Sequence, residues 1–174
     1  MSKYIAFLRA INVGGHNVKM DELKKIFEAL NFSNVETFIA SGNVIFETTT
    51  KDTTKLEKKI ESKLHEALGY EVATFLRTPQ ELAEVANYKP FKTKGEALNV
   101  AFIAEPLEPV SVQKLMTYKN DIDDFYVHGR EIYWMCQVKQ SDSKFSNAVL
   151  EKAIGKKSTL RGINTVQKMA EKYS

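Results

Sequence analysis

The chain has 174 residues, 43% of them hydrophobic and 27% charged, a globular balance that allows one full domain or two small packed units. Lys and Arg outnumber Asp and Glu by 25 to 22, and a net charge of +3 does not by itself point to nucleic acid. The apolar run within Met1–Arg9 is too short for a signal peptide, no run approaches the roughly 18 residues of a membrane span, and the single cysteine, Cys136, excludes an internal disulfide. These features predict a soluble cytoplasmic protein with no membrane partner.

Residues 4–10 read as the first strand. Tyr4, Ala6 and Leu8 alternate with Ile5 and Phe7, so both faces are apolar and the strand is expected to be central and covered on both sides. A polar, glycine-bearing loop, residues 11–19, follows. Met20, Leu23, Ile26, Phe27 and Leu30 recur at helical spacing and predict an amphipathic helix. Residues 34–40 and 43–48 are rich in Val, Ile, Phe and Thr and predict two strands, joined by a tight hairpin turn at Ser41-Gly42-Asn43. After a polar break, Leu56, Ile60, Leu64 and Leu68 mark a second helix, stopped by Gly69. Residues 71–77 predict a fourth strand. The order strand, helix, strand, strand, helix, strand fits a ferredoxin-like βαββαβ unit.

Thr78-Pro79-Gln80-Glu81 predicts a helix start, with Thr78 as cap, Pro79 in the first position and Glu81 completing a capping box. Tyr88–Gly95 is a basic, aromatic loop. The pattern then repeats: a strand at 98–104, a helix at 110–118, strands at 125–128 and 131–138 around a Gly129-Arg130 turn, and a helix marked by Phe145, Val149, Leu150 and Ala153 with Gly155 as its stop. A short strand at 158–161 is expected, with Asn164-Thr-Val-Gln167 capping a last helix. The predicted fold class is α+β, with two interlocked ferredoxin-like (βαββαβ-type) halves carrying antiparallel sheets. Residues 1–77 form the first half, 78–97 a linking helix and basic loop, and 98–174 the second half with an extra terminal helix, the halves packed as one unit.

In a βαββαβ unit the loop after strand one and the turn after strand two lie at the same end. Asn12, Gly14, Gly15 and His16 are therefore expected near Ser41, Gly42 and Asn43. Gly14-Gly15 can present backbone N–H groups just ahead of a helix N-terminus, a geometry that suits an anion. Arg9, His16 and Lys19 add positive charge there. The stretch is neither a P-loop nor a dinucleotide fingerprint. The same glycines serve equally to turn a long loop, Ser41 and Asn43 are common turn residues, and Asn12 and Asn164 serve equally as caps.

His16, His65 and His128 show no metal-ligand spacing, so no metal is predicted and no cofactor is assigned. Ala40-Ser41-Gly42 lacks a nucleophile elbow, so no catalytic residue is assigned and an enzyme at this end stays open. Lys55, Lys58, Lys59 and Lys63 form a basic helix face, but Glu57 and Glu61 interleave and predict a solvated, ion-paired surface. The loop from Tyr88 to Lys94 is the better candidate for contact with a nucleic-acid strand. Its plainer reading is a lysine-solvated connector with its aromatic rings tucked inward.

Phe7-Leu-Arg-Ala-Ile-Asn-Val-Gly-Gly15 leading to Met20-Asp-Glu-Leu23, and Thr37-Phe-Ile-Ala-Ser-Gly-Asn-Val-Ile-Phe46, closely resemble motifs of the bacterial domain-of-unknown-function family sixteen-ninety-seven. Ser158-Thr-Leu-Arg-Gly-Ile-Asn-Thr-Val166 is similar to the family's C-terminal motif, except that Gly162 and Ile163 stand where the family usually has an Asn-Trp pair after the arginine. The resemblance spans essentially the whole chain. It implies two interlocked ferredoxin-like halves and no known activity, substrate or cofactor. The positions matching its motifs are Arg9, Asn12, Gly14, Gly15, Ser41, Gly42, Asn43, Arg161, Asn164 and Thr165. The expected function is that of a binding or regulatory protein accepting a small anionic ligand at Arg9, Asn12, Gly14, Gly15, His16, Ser41, Gly42 and Asn43. Arg161, Asn164 and Thr165 are secondary candidates. Single-stranded nucleic-acid binding through the basic surface is the alternative, and an enzyme at the same end a further one. Neither partner proteins nor an oligomeric state is assigned.

Overall fold

Two-sided burial of one strand organises the first half of the chain. The computed structural model describes residues 1–9, 11, 17–39 and 42–173, and its contacts divide the chain into two units, Met1–Glu81 and Leu82–Ser174. The boundary falls inside the linking helix.

The first unit contains β1 (Ser2–Leu8), α1 (Met20–Glu28), β2 (Ser33–Thr37), β3 (Asn43–Thr48), α2 (Thr53–Leu68) and β4 (Thr74–Arg77), and then enters α3 (Pro79–Asn87). Its sheet runs β2-β3-β1-β4 with every neighbouring pair antiparallel, the expected ferredoxin-like arrangement. Tyr4 through Leu8 are all buried, as an apolar pattern on both faces requires. Leu23, Ile26 and Phe27 of α1 and Leu56, Ile60 and Leu64 of α2 share one core with Ala6, Val44, Phe46 and Leu76. Within it Phe32 stacks on Phe46 with ring centroids 4.4 Å apart. The α2 helix is capped by Asp52, whose side chain accepts the Lys55 N–H, and is stopped by Gly69 in the left-handed region.

The hairpin differs from expectation. β2 ends at Thr37, short of the predicted Ala40, and Ser41 of the expected Ser-Gly-Asn turn lies outside the described residues. The Phe38 N–H donates to the Asn43 carbonyl at 3.1 Å, and Asn43 Nδ2 donates back to the Phe38 carbonyl at 3.1 Å. That side-chain bond takes the acceptor a longer ladder would have used. Ile39 then turns outward with φ +54°. At the start of α3 both predicted capping-box bonds form: Thr78 N–H to Glu81 Oε1 at 2.9 Å, and Glu81 N–H to Thr78 Oγ1 at 3.1 Å.

The second unit continues with β5 (Ala97–Phe102), α4 (Pro109–Met116), β6 (Asp123–His128), β7 (Glu131–Cys136), α5 (Asn147–Ile154), β8 (Thr159–Gly162) and α6 (Ile163–Tyr173). Its sheet runs β6-β7-β5-β8, again antiparallel throughout, so the two halves share one topology. Ala101, Leu115, Phe125, Trp134, Phe145 and Leu150 lie in its core. Trp134 Nε1 donates to Asp123 Oδ1 at 2.8 Å, and Ser143 Oγ donates to the same carboxylate at 2.9 Å. The last helix begins directly at Ile163, so Asn164 stands in its first turn and does not cap it. The reason is that Gly162 still pairs with Asn99 in the ladder, and the chain passes from strand to helix with no connecting loop.

Candidate functional site

Several segments converge at the C-terminal end of β1. The Leu8 N–H donates to the Gly42 carbonyl at 2.8 Å, and the Arg9 N–H donates to the Ala73 carbonyl at 2.9 Å. The Tyr70 hydroxyl donates to the Ile11 carbonyl at 2.8 Å. The exit of β1, the entry to β3 and the loop before β4 therefore meet at one end of the sheet, as the topology requires. Gly42 has φ +78°, and a Cβ there would stand 3.0 Å from Leu8 Cβ and 3.1 Å from Ile11 Cγ2. Glycine is needed for both its conformation and its size. Asn43 is buried and uses its amide to close the hairpin on Phe38. Arg9 is half-buried at the rim of this end. Asn12, Gly14, Gly15, His16 and Ser41 lie outside the described residues.

Tyr70 escaped sequence reasoning. An aromatic residue just after a helix-stopping glycine reads as ordinary packing, yet its hydroxyl braces the chain leaving β1. Burial raises the pKa of that hydroxyl, and the nearby Glu22 carboxylate raises it further. Thr74 at the same end is buried, and its N–H is held by the Glu61 carboxylate at 2.9 Å.

The secondary candidates belong to the second unit. Arg161 is buried on β8, where Nη1 donates to Thr159 Oγ1 at 2.7 Å and to the Leu160 carbonyl at 2.9 Å. Desolvation lowers its pKa to about 10. Arg77 holds the matching place on β4, with Nη1 donating to the Leu76 carbonyl at 2.8 Å. A buried arginine on the fourth strand is thus a repeated structural device of this fold. Asn164 is exposed and Thr165 half-buried, both in the first turn of α6.

Tyr88, which opens the basic loop, stacks on His128 with ring centroids 4.0 Å apart and also packs beside Tyr126 and Tyr133. Among the described residues no three His, Cys, Asp or Glu side chains are grouped to hold a metal ion. Nor is any described helix long and apolar enough to cross a membrane.

The profile of a family described as "Protein of unknown function (DUF1697)" matches residues 1–133. No curated protein matches the chain. A solved structure of a conserved bacterial protein from Streptococcus pneumoniae is similar to it at 22% identity, covering 99% of both chains with a TM-score of 0.78. At that identity the likeness is one of fold.

Proposed function

The chain belongs to the DUF1697 family, and on that premise we propose that it is a binding or regulatory protein accepting a small anionic ligand at the end of the first sheet. The observation that supports this reading is the Leu8–Gly42 hydrogen bond, which keeps the end of β1, and Arg9 after it, against the entry to β3. In this reading Gly42 and Asn43 shape the end. Arg9 and His16 supply charge, and Asn12, Gly14, Gly15 and Ser41 supply N–H and hydroxyl donors. A reducing, cytoplasmic setting is part of the reading, in keeping with the buried thiol of Cys136. The test is an amide NMR titration at low salt with inorganic phosphate and then pooled mononucleotides. Saturable shifts at Gly42 and its neighbours, lost in Arg9→Ala, are expected. Shifts absent there with every probe would refute the site.

A second reading, single-stranded nucleic-acid binding, draws on one observation. Tyr126 is 41% exposed and packs beside Tyr88, next to the exposed Lys89. Base stacking on such a ring contributes about 1–3 kcal/mol, so Tyr126→Ala should weaken binding of a short RNA by that amount. Affinity should also fall steeply with salt. Salt-insensitive binding, or none, would set this reading aside.

A further inference from the structure

The second sheet is hollow where β5 begins and β8 runs into α6. A cavity of about 740 Å3 lies there, a size that holds a small-molecule ligand. Asn99 lines it from β5, only 5% exposed, and its amide nitrogen has no hydrogen-bond partner among the described residues. Buried amides nearly always have partners, so an unpartnered one beside a cavity marks a place for a ligand's polar atom. Across the ladder from Asn99 stands Gly162, also on the cavity wall. A Cβ on Gly162 would meet Asn99 Oδ1 in ordinary van der Waals contact at 3.9 Å, so the Asn99 amide lies on the same side of the sheet as the Gly162 position, which a side chain could occupy without a clash.

The helix start at this cavity differs from its counterpart in the first unit. There Arg77 is followed by Thr78 and Glu81, which cap α3. Here Arg161 is followed by Gly162 and Thr165 in the matching positions, and Gly162 has no side chain with which to cap α6. Ile163 and Asn164 line the cavity, so the positive end of an 11-residue helix borders it. The exposed Lys89, Lys92 and Lys94 stand on the rim with Glu96 as the acidic residue among them. Phe91 and Met135 supply an apolar wall. The loop carrying these lysines is anchored at Gly95, whose N–H approaches Met135 Sδ at 3.2 Å and where a Cβ would stand 2.7 Å from the Cys136 carbonyl.

We propose that this cavity is a second ligand site, taking a small phosphorylated molecule with an apolar or aromatic body. The phosphate lies at the α6 N-terminus and the rim lysines, the body lies against Phe91 and Met135, and a polar atom of the body meets the Asn99 amide. The unpartnered amide, the helix start after Gly162 and the basic rim are independent observations that coincide at one place. None of them depends on the end of the first sheet.

Inorganic phosphate and adenosine monophosphate, titrated separately into the labelled full chain at low salt, test the proposal by amide NMR. Saturable shifts at Gly95, Gly162, Ile163 and Asn164 are expected with both, about ten-fold tighter for the nucleotide. Gly162→Leu fills the cavity at a position that is not in the left-handed region, and should abolish these shifts while sparing those at Gly42. Asn99→Leu should weaken nucleotide binding about ten-fold and leave the melting temperature of the unliganded protein equal or higher, since it removes an unpartnered amide. Lys92→Glu, on the exposed rim, should weaken phosphate binding without touching the fold. Absence of saturation with both probes, or shifts that survive Gly162→Leu in a folded protein, would overturn the site. Equal affinity for phosphate and nucleotide would overturn the apolar body. A lower melting temperature with unchanged affinity in Asn99→Leu would overturn the role given to that amide.

Discussion

The Glu61 carboxylate accepts the backbone N–H of Thr74 at 2.9 Å, and one helical turn earlier Glu57 accepts that of Leu76 at 2.9 Å. β4 is an edge strand, and its alternate N–H groups point away from β1. Two carboxylates at i and i+4 on α2 cover them, which blunts an edge that could otherwise pair with another chain. The second unit repeats the device, with Glu151 accepting the Ser158 N–H at 2.7 Å just before its own edge strand. Glu61→Ala should therefore cost about 1–3 kcal/mol. Adding Glu57→Ala should also raise light scattering on heating. A urea midpoint unchanged in both variants would contradict this account.

Gly42→Ala places a methyl group against Leu8 and Ile11 in a left-handed conformation. It should lose about 2 kcal/mol in urea unfolding. Gly129→Ala is the matched control, because Gly129 also has positive φ but only Glu131 Oε1 comes as near as 4.0 Å. It should lose about 1 kcal/mol. Equal losses would mean that conformation alone, and not the close approach to β1, demands glycine at 42.

Asp123→Ala strips the acceptor from Trp134 Nε1 and Ser143 Oγ together. Leaving a buried indole N–H unpaired should cost about 3 kcal/mol. Trp134 is the sole tryptophan, so its emission reports the change directly. A native spectrum and unchanged stability would show that the carboxylate is dispensable.

Tyr133 carries a pH dependence. Its buried hydroxyl donates to the Val85 carbonyl at 2.8 Å, and burial, then Glu131, then Tyr88 raise its pKa above the ordinary tyrosine value. Above about pH 10 the unfolded chain loses this proton while the folded chain keeps it. The native state then binds more protons, so stability falls as pH rises through that region. Urea unfolding at about pH 8 and about pH 10.5 should show the fall, and Tyr133→Phe should reduce it. A fall of equal size in both proteins would assign it to other groups.

Local patterns carried the architecture. Strand alternation, helical spacing and turn chemistry are properties of neighbouring residues, so the order of elements, the shared ferredoxin-like topology, the Thr78–Glu81 capping box and the stops at Gly69 and Gly155 could all be read from the chain. The meeting of β1 with the β2–β3 connection at Gly42 followed from topology alone. Tertiary structure decided where polar groups find partners. The end of β2 is set by the Asn43 amide on Phe38. Glu57 and Glu61, read as partners for neighbouring lysines, hold the edge of β4. In the sequence Asn99 is only a polar interruption of an apolar strand, and its surroundings come from Gly162, the lysine loop and the start of α6. Hydrophobic periodicity is written locally because each element buries one face, whereas hydrogen-bond satisfaction is settled between residues that only the fold brings together.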